Sequence, residues 1–316
     1  MNDPAGNGAG RMSALVIACL LATWIVWGST YLAIKYALIS FPPFFQMGSR
    51  FFAAGGLLFA WARFHRKSAV PNLVEWRNAV LIGALMVGMG MGATAYAELT
   101  IGSGLVVAFI AISPMMITAI NRLFGVRPSR HELIGVVVGF LGVALLAQGA
   151  ELRASPLGVA MIALASFGWS FGSVLSQRKL RLAPGAMGYA SQMLCGGVLL
   201  LIASALRGES PAWPPAPLAA YAWVYLVVFG SLVAFSAYMV LLTRVSVALA
   251  TSYSFVNPII GLILGVAVGG ETVTGQEWLA SCVVIGGVAL LLWWRKAPPA
   301  NHARFQEPSA SGVAKG

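Results

Sequence analysis

Ten long apolar runs joined by short polar links decide what this chain can become. They lie at about 13–34, 43–64, 78–97, 101–122, 132–149, 156–177, 185–206, 219–243, 247–269 and 276–294. Each is near the roughly 20 residues that a helix needs to cross about 30 Å of hydrocarbon. The runs are continuous, whereas the strands of a transmembrane barrel alternate apolar and polar residues over about 10 positions. Only 9% of the 316 residues are charged, against roughly 25% in a water-facing domain. The expectation is an all-α integral membrane protein with ten transmembrane helices embedded in a lipid bilayer. The first run is longer than a secretion-signal core and no small-residue cleavage site follows it, so it reads as a retained span.

Charge placement supplies an orientation. Sixteen of the 20 Lys and Arg residues fall in the tails and in the alternate links that share a side with the N-terminus, among them Arg63, Arg66, Lys67, Arg127, Arg178 and Lys179. Lys35, Arg153 and Arg207 fall on the other side, and Arg50 lies inside the second run. Cytoplasmic links of membrane proteins carry the excess of positive charge, so both termini are expected in the cytoplasm. The formal charge of +11 is then an orientation signal and not a nucleic-acid footprint, which would cluster on one exposed face. The tails, 1–11 and 297–316, are too poor in apolar residues to fold and read as disordered. Cys19, Cys195 and Cys282 sit within apolar runs without paired spacing and read as packed thiols. No metal or cofactor motif is present.

The chain also repeats itself. Trp27 recurs as Trp169 and Tyr96 as Tyr238, both 142 residues on; Pro114 recurs as Pro258 after 144, and Glu132 as Glu277 after 145. The pentapeptide starting at Gly142 returns at Gly287. This order divides the chain into a first five-helix unit, 12–150, and a second, 151–296. An odd number of spans forces the second unit to enter the membrane upside down relative to the first. Two inverted halves form a carrier architecture, with a site near the midplane open to one side at a time.

The residues resemble a known family as well. The run from Trp27 to Lys35, then Pro42-Pro43 and Arg50-Phe51, resembles the start of an EamA-type member of the drug/metabolite transporter superfamily. So do Ser252 to Pro258, Gly270-Glu271 and the closing Gly286-Gly287-Val288. The resemblance implies a ten-helix inverted-repeat carrier, often an exporter of amino acids, related metabolites or drugs. One departure stands out: Glu271 of the second half faces Val126 or Arg127 at the corresponding place in the first.

Several side chains are candidates for the substrate site. Arg50 sits seven or eight residues into its run, roughly 10 Å deep at 1.5 Å per residue. A cation there costs about 2.5–3.5 kcal/mol unless it meets water, a partner or a ligand. It reads either as a bidentate anchor for a substrate carboxylate or as a side chain that snorkels outward. Its repeat counterpart is the uncharged Gln192. Glu98 and Lys35 end their runs on the same outer side. With Arg50 they suit a zwitterion such as an amino acid, or form a surface ion pair of little worth. A proton-driven cycle needing a buried carboxylate has only Glu98 to use, and the coupling ion stays open. Pro114 and Pro258 free the carbonyls of Ile110 and Ser254, marking either cavity walls or plain kinks, and Asn257 adds a polar amide beside Pro258. Trp27, Trp169, Tyr96, Tyr238 and Tyr253 are aromatic candidates for a mostly apolar cavity, with Trp27 and Trp169 ranked first for their mid-span position.

Enzyme chemistry finds little support. The sequence from Gly168 to Gly172 matches a nucleophile elbow and would make Ser170 a nucleophile, but it lies within an apolar run, far from His65, His131 and His302. A serine without a base in reach is not activated. No phosphate-binding GxxxxGK[ST] loop exists, so ATP does not drive the protein directly. The reading is a secondary exporter of amino acids, related small metabolites or drugs, with an importer or exchanger of similar compounds as runner-up and an intramembrane serine hydrolase as the distant rival.

Overall fold

Each apolar run becomes one helix, and polar signals at its ends set where it starts. The computed structural model describes residues 13–149, 153, 155–245, 250 and 252–293. Both tails and the expected start of the ninth run at 247 lie outside these residues. The helices are α1 (Ala14–Ala37), α2 (Pro43–Phe64), α3 (Leu73–Ala97), α4 (Ser103–Leu123), α5 (Arg130–Leu146), α6 (Pro156–Arg178), α7 (Ala186–Leu206), α8 (Pro217–Leu241, continuing to Arg244), α9 (Tyr253–Ala267) and α10 (Gly275–Trp293). α3 starts five residues before the apolar reading placed it. Its first turn is polar: the Asn72 side chain accepts from the Glu75 amide at 2.9 Å while Glu75 accepts from the Asn72 amide at 2.8 Å. This reciprocal cap satisfies two end donors that a hydropathy pattern does not register.

Six helices, α1, α3, α4, α6, α7 and α8, are 21 to 25 residues long and apolar enough to span a bilayer unaided. α2 is as long but carries Gln46 and Arg50, while α5 and α10 are 17 and 19 residues. α9 is shorter still at 15 residues, and α5 and α10 lie against each other. Large apolar side chains such as Leu57, Leu141 and Leu279 are exposed and form the lipid-facing surface.

The helices pack as an inverted repeat. α2 crosses α7, its counterpart from the other half, and α5 crosses α10. Both crossings are antiparallel and are made at glycines. A Cβ on Gly55 would lie 2.8 Å from the Leu194 amide and 3.1 Å from the Ala190 carbonyl. A Cβ on Gly197, the same residue 142 positions later, would lie 2.6 Å from the Phe52 amide and 3.0 Å from the Gly48 carbonyl. Each contact is the other one shifted by the repeat. Gly142 against Val284 and Gly287 against Gly139 reproduce the relation at 145. Backbones this close leave no room for a side chain, which is how membrane helices gain contact without a hydrophobic driving force. The remaining pairings obey the same two-fold: α3 packs on α6 as α8 packs on α1, and α4 on α6 as α9 on α1.

Two further features recur by symmetry. α3 widens into π-helical turns over Gly83–Met91, and α8 does so over Leu226–Val233 at the equivalent place. α5 and α10 open with matching caps, Ser129 with Glu132 and Thr274 with Glu277. One feature does not recur: α1 has a π-helical turn at Ala22–Val26, whereas α6 is regular α-helix.

Pro114 breaks α4 into two pieces, Ser103–Ile110 and Ser113–Leu123. The Ile110 carbonyl that proline deprives of its amide donor instead accepts the Ser113 hydroxyl at 2.7 Å. The Ser113 carbonyl in turn accepts the Ser170 hydroxyl at 3.2 Å. The elbow-like Gly168–Gly172 stretch is thus a packing motif inside α6, and Ser170 is a buried strut.

Candidate functional site

Four helices, α1, α2, α8 and α9, converge on Trp27. The π-helical turns of α8 leave a backbone carbonyl free for a partner outside the helix. Trp27 uses this opening, its indole N–H donating to the Gly230 carbonyl at 3.1 Å. Tyr238 and Tyr253 close around the indole, with ring centroids 5.5 and 4.7 Å from it and 5.7 Å from each other. Three residues singled out by position in the sequence thus form one mutually contacting aromatic triad. Edge and tilted geometries of this kind are the favourable ones for aromatic rings.

Arg50 reaches the same place from α2. It is 3% exposed, so the snorkelling alternative does not hold: the side chain turns into the protein. Nε donates to the Ser231 hydroxyl at 3.0 Å, Nη1 points to the Met47 sulfur at 3.8 Å, and the guanidinium lies 4.8 Å from the Phe51 ring centroid. Gly230, the residue that receives Trp27, also clears space for it: a Cβ there would lie 3.0 Å from Nη2. Among the described residues no carboxylate bonds Arg50; its neighbours are a hydroxyl, a thioether and a ring. Ser231 carried no signal in the sequence beyond following that glycine.

Asn257 is engaged in structure. Its amide nitrogen donates to the carbonyls of Trp24 at 3.0 Å and Tyr253 at 3.3 Å. Trp24 belongs to the π-helical turn of α1 and returns a bond to α9, indole N–H to the Ser252 hydroxyl at 2.9 Å. Asn257 is therefore a staple between α1 and α9 that holds Tyr253 against Trp27.

At the end of the bundle where α1 finishes the charges separate into two groups. Lys35 at the end of α1 bonds Glu271 at 3.1 Å, in the connection between α9 and α10. The same carboxylate accepts from the Ser103 amide and hydroxyl at 2.7 and 2.8 Å and from the Gly104 amide at 2.9 Å. It thus caps the start of α4, where free backbone N–H groups favour an anion. Burial by itself pushes the Glu271 carboxyl up, but these bonds and Lys35 outweigh it and hold it below its usual range. The other carboxyl, Glu98, stands one residue beyond the end of α3. It is 3% exposed, and neither oxygen has a hydrogen-bond partner among the described residues. Burial, reinforced by the charge of Glu271, pushes it well above the ordinary carboxylate range, against the opposing pull of Lys35 and Arg50. Lys35 therefore pairs with Glu271, a partner 236 residues away, and not with Glu98.

The two other aromatic candidates lie elsewhere. Trp169 occupies the place equivalent to Trp27, beside Gly90 in the π-helical turns of α3. Tyr96 is half-buried and stacks on Phe44 at 6.0 Å, with the Arg207 guanidinium 5.5 Å above it. It belongs to the rim between α2, α3 and α7, outside the triad. Tyr31, one turn beyond Trp27, stands within the electrostatic reach of both Glu98 and Arg50.

Comparison with known proteins fits this architecture. The EamA-like transporter family matches twice, over residues 14–148 and 156–293. A protein of Escherichia coli K12 described as the uncharacterized inner membrane transporter YedA is 39% identical over 90% of this chain and 93% of its own length. A second from the same organism, described as a probable amino-acid metabolite efflux pump, is 22% identical over 89% of this chain and 96% of its own. A solved crystal structure shares the fold with a TM-score of 0.60 at 20% identity, covering 88% of this chain and 96% of the other. With a family match on each half and ten helices arranged as an inverted repeat, the chain is a membrane transporter and belongs to the EamA-like transporter family.

Proposed function

We propose that this transporter is a secondary carrier that exports amino acids or closely related amphipathic metabolites from a bacterial inner membrane, with both tails in the cytoplasm. The two five-helix units, 12–150 and 151–296, rock about their shared axis and expose the site to each side in turn. The observation that carries the substrate class is a buried guanidinium and a buried carboxyl that do not bond each other. Arg50 has no carboxylate partner among the described residues and Glu98 has no donor. A ligand with a carboxylate at one end and an ammonium at the other satisfies both, the guanidinium by a bidentate bond. Trp27, Tyr238 and Tyr253 offer apolar and π surface to the body of such a ligand. By the two-fold, Trp169 beside Gly90 offers the corresponding surface in the other half of the bundle. The inner-membrane and efflux descriptions of the two relatives support the location and the direction.

The test is counterflow in vesicles reconstituted with the purified chain, using labelled neutral amino acids and the matching amines that lack the carboxylate. The amino acids exchange with saturation and the amines do not. Equal exchange of both removes Arg50 from substrate binding, and rates that rise linearly with concentration make the protein a channel. Ser170→Ala leaves exchange unchanged, whereas a hydrolase would lose its activity.

A further inference from the structure

The bond from Lys35 to Glu271, made within electrostatic reach of the buried Glu98, has a use that substrate binding does not require. Lys35 and Glu271 tie three elements together at the outer end: the last turn of α1, the α9–α10 connection and, through Ser103 and Gly104, the start of α4. A second bond beside it, from the Tyr36 hydroxyl to the Val268 carbonyl at 3.0 Å, joins α1 to α9. No such tie exists in the repeat-equivalent place among the described residues, where the loop offers Val126 and Arg127 and where Arg178 donates to Asn121 at 2.6 Å. The Lys35 side chain is 36% exposed and its stem is flexible, so the ammonium can change partner without moving the backbone.

The rival partner is Glu98. From α1 it is faced by Tyr31 and Lys35, from α2 by Arg50 and from the α9–α10 connection by Glu271. Arg207, at the end of α7, lies over Tyr96 two residues earlier, and the exposed Arg153 precedes α6, whose first-turn cap Ser155 bonds Thr100 at 2.6 Å. A buried carboxyl with no donors favours its neutral acid, which has little claim on a nearby ammonium. Once the proton leaves, the same group becomes an anion competing with Glu271 for Lys35.

We propose that Glu98 is a proton-binding site that controls the outer gate. With the proton on, Lys35 stays on Glu271 and holds α1 against α4 and the α9–α10 connection. With the proton off, the Glu98 carboxylate draws Lys35 away and the outer end is free to open. The step moves one proton between a Glu98 oxygen and water and exchanges one ion pair for another, with no covalent bond otherwise made or broken. The inference rests on the alternating-access reading but not on the identity of the substrate.

Accessibility labelling tests it without any substrate present. In a full-length chain with Cys19, Cys195 and Cys282 replaced by Ser, Thr30→Cys places a thiol one turn and a half below Lys35 on a residue that is 5% exposed. A membrane-impermeant maleimide is applied outside intact cells across a range of external pH. Labelling of the parent rises with pH. Glu98→Gln labels slowly at every pH. Glu271→Gln labels quickly at every pH, about tenfold faster than the parent in acid, as expected for loss of a charge-assisted bond. Glu98→Asp keeps the pH dependence with a displaced midpoint, and so separates titration from misfolding. A Glu98→Gln profile that follows the parent, or Glu271→Gln labelling no faster than the parent, overturns the proposal. Since no amino acid is added, these outcomes are independent of the counterflow result, and a failure of either reading is seen apart from the other.

Discussion

The two halves share a scaffold and differ in charge. Glycine crossings, helix caps, π-helical turns in the third helix and a proline in the fourth occur in both. Arg50 and Glu271 occur in one copy each, opposite Gln192 and the Val126–Arg127 pair. Packing requires the same shape on both sides of a two-fold axis. Chemistry does not, because a ligand with distinct ends is itself asymmetric. The Gln192 amide accordingly settles for the Met86 sulfur at 3.5 Å, while Arg50 sits beside the aromatic triad.

The sharpest way to break this comparison is to remove each member of the unlike pair. Arg50→Ala is expected to abolish saturable amino-acid counterflow, a loss of about 2–5 kcal/mol in binding typical of a buried charge partner. Gln192→Ala should change affinity only a few-fold. Equal effects would mean that the charge asymmetry has no functional content. The like pairs come next. Gly197→Val and Gly287→Val each force a side chain into backbone contact and should lower stability by about 1–3 kcal/mol, read as similar drops in melting temperature in detergent. A large drop at one crossing and none at the other would break the scaffold symmetry.

Acid should weaken the Lys35–Glu271 tie, which only one half supplies with a carboxylate. Glu271 is held below its usual range, so the stability it contributes is present above the unfolded value near 4.5 and is lost as pH falls through the lowered folded value. Melting temperature measured below that pH should fall more in the parent than in Glu271→Gln, and Arg127→Ala should leave the acid profile unchanged. The smallest effects belong to the caps. Ser129→Ala and Thr274→Ala should each cost about 1 kcal/mol, and a difference between them would report the deeper burial of Glu277 relative to Glu132.

What was legible in the sequence follows from what is local. Helix positions came from apolar runs, and errors of several residues fell at polar caps such as Asn72–Glu75, which hydropathy does not weigh. The five-span repeat was legible because paired glycines, prolines and tryptophans keep their spacing. The depth of Arg50 marked it as a candidate but left burial and snorkelling both open, and mid-span position ranked Trp27 with Trp169, whereas the rings that meet the indole are Tyr238 and Tyr253. The division of the aromatic candidates was not legible, since Tyr96 and Tyr238 are equivalent by spacing yet only Tyr238 meets the indole. The π-helical turns leave no trace either, because the same residues satisfy α and π geometry alike. The Lys35–Glu271 bond joins positions near the two ends of the chain, and the only hint was that Glu271 lacks an acidic counterpart.

The crossing of α2 with α7 has one more consequence. Gly55 meets residues 190, 193 and 194 as Gly197 meets 48, 51 and 52, which is the arrangement of an isologous interface between identical subunits. A five-helix ancestor would have built it by pairing with a second molecule inserted the opposite way round. Fusion into a single chain then fixed one copy in each orientation, and released residues such as Arg50 from having to serve in both.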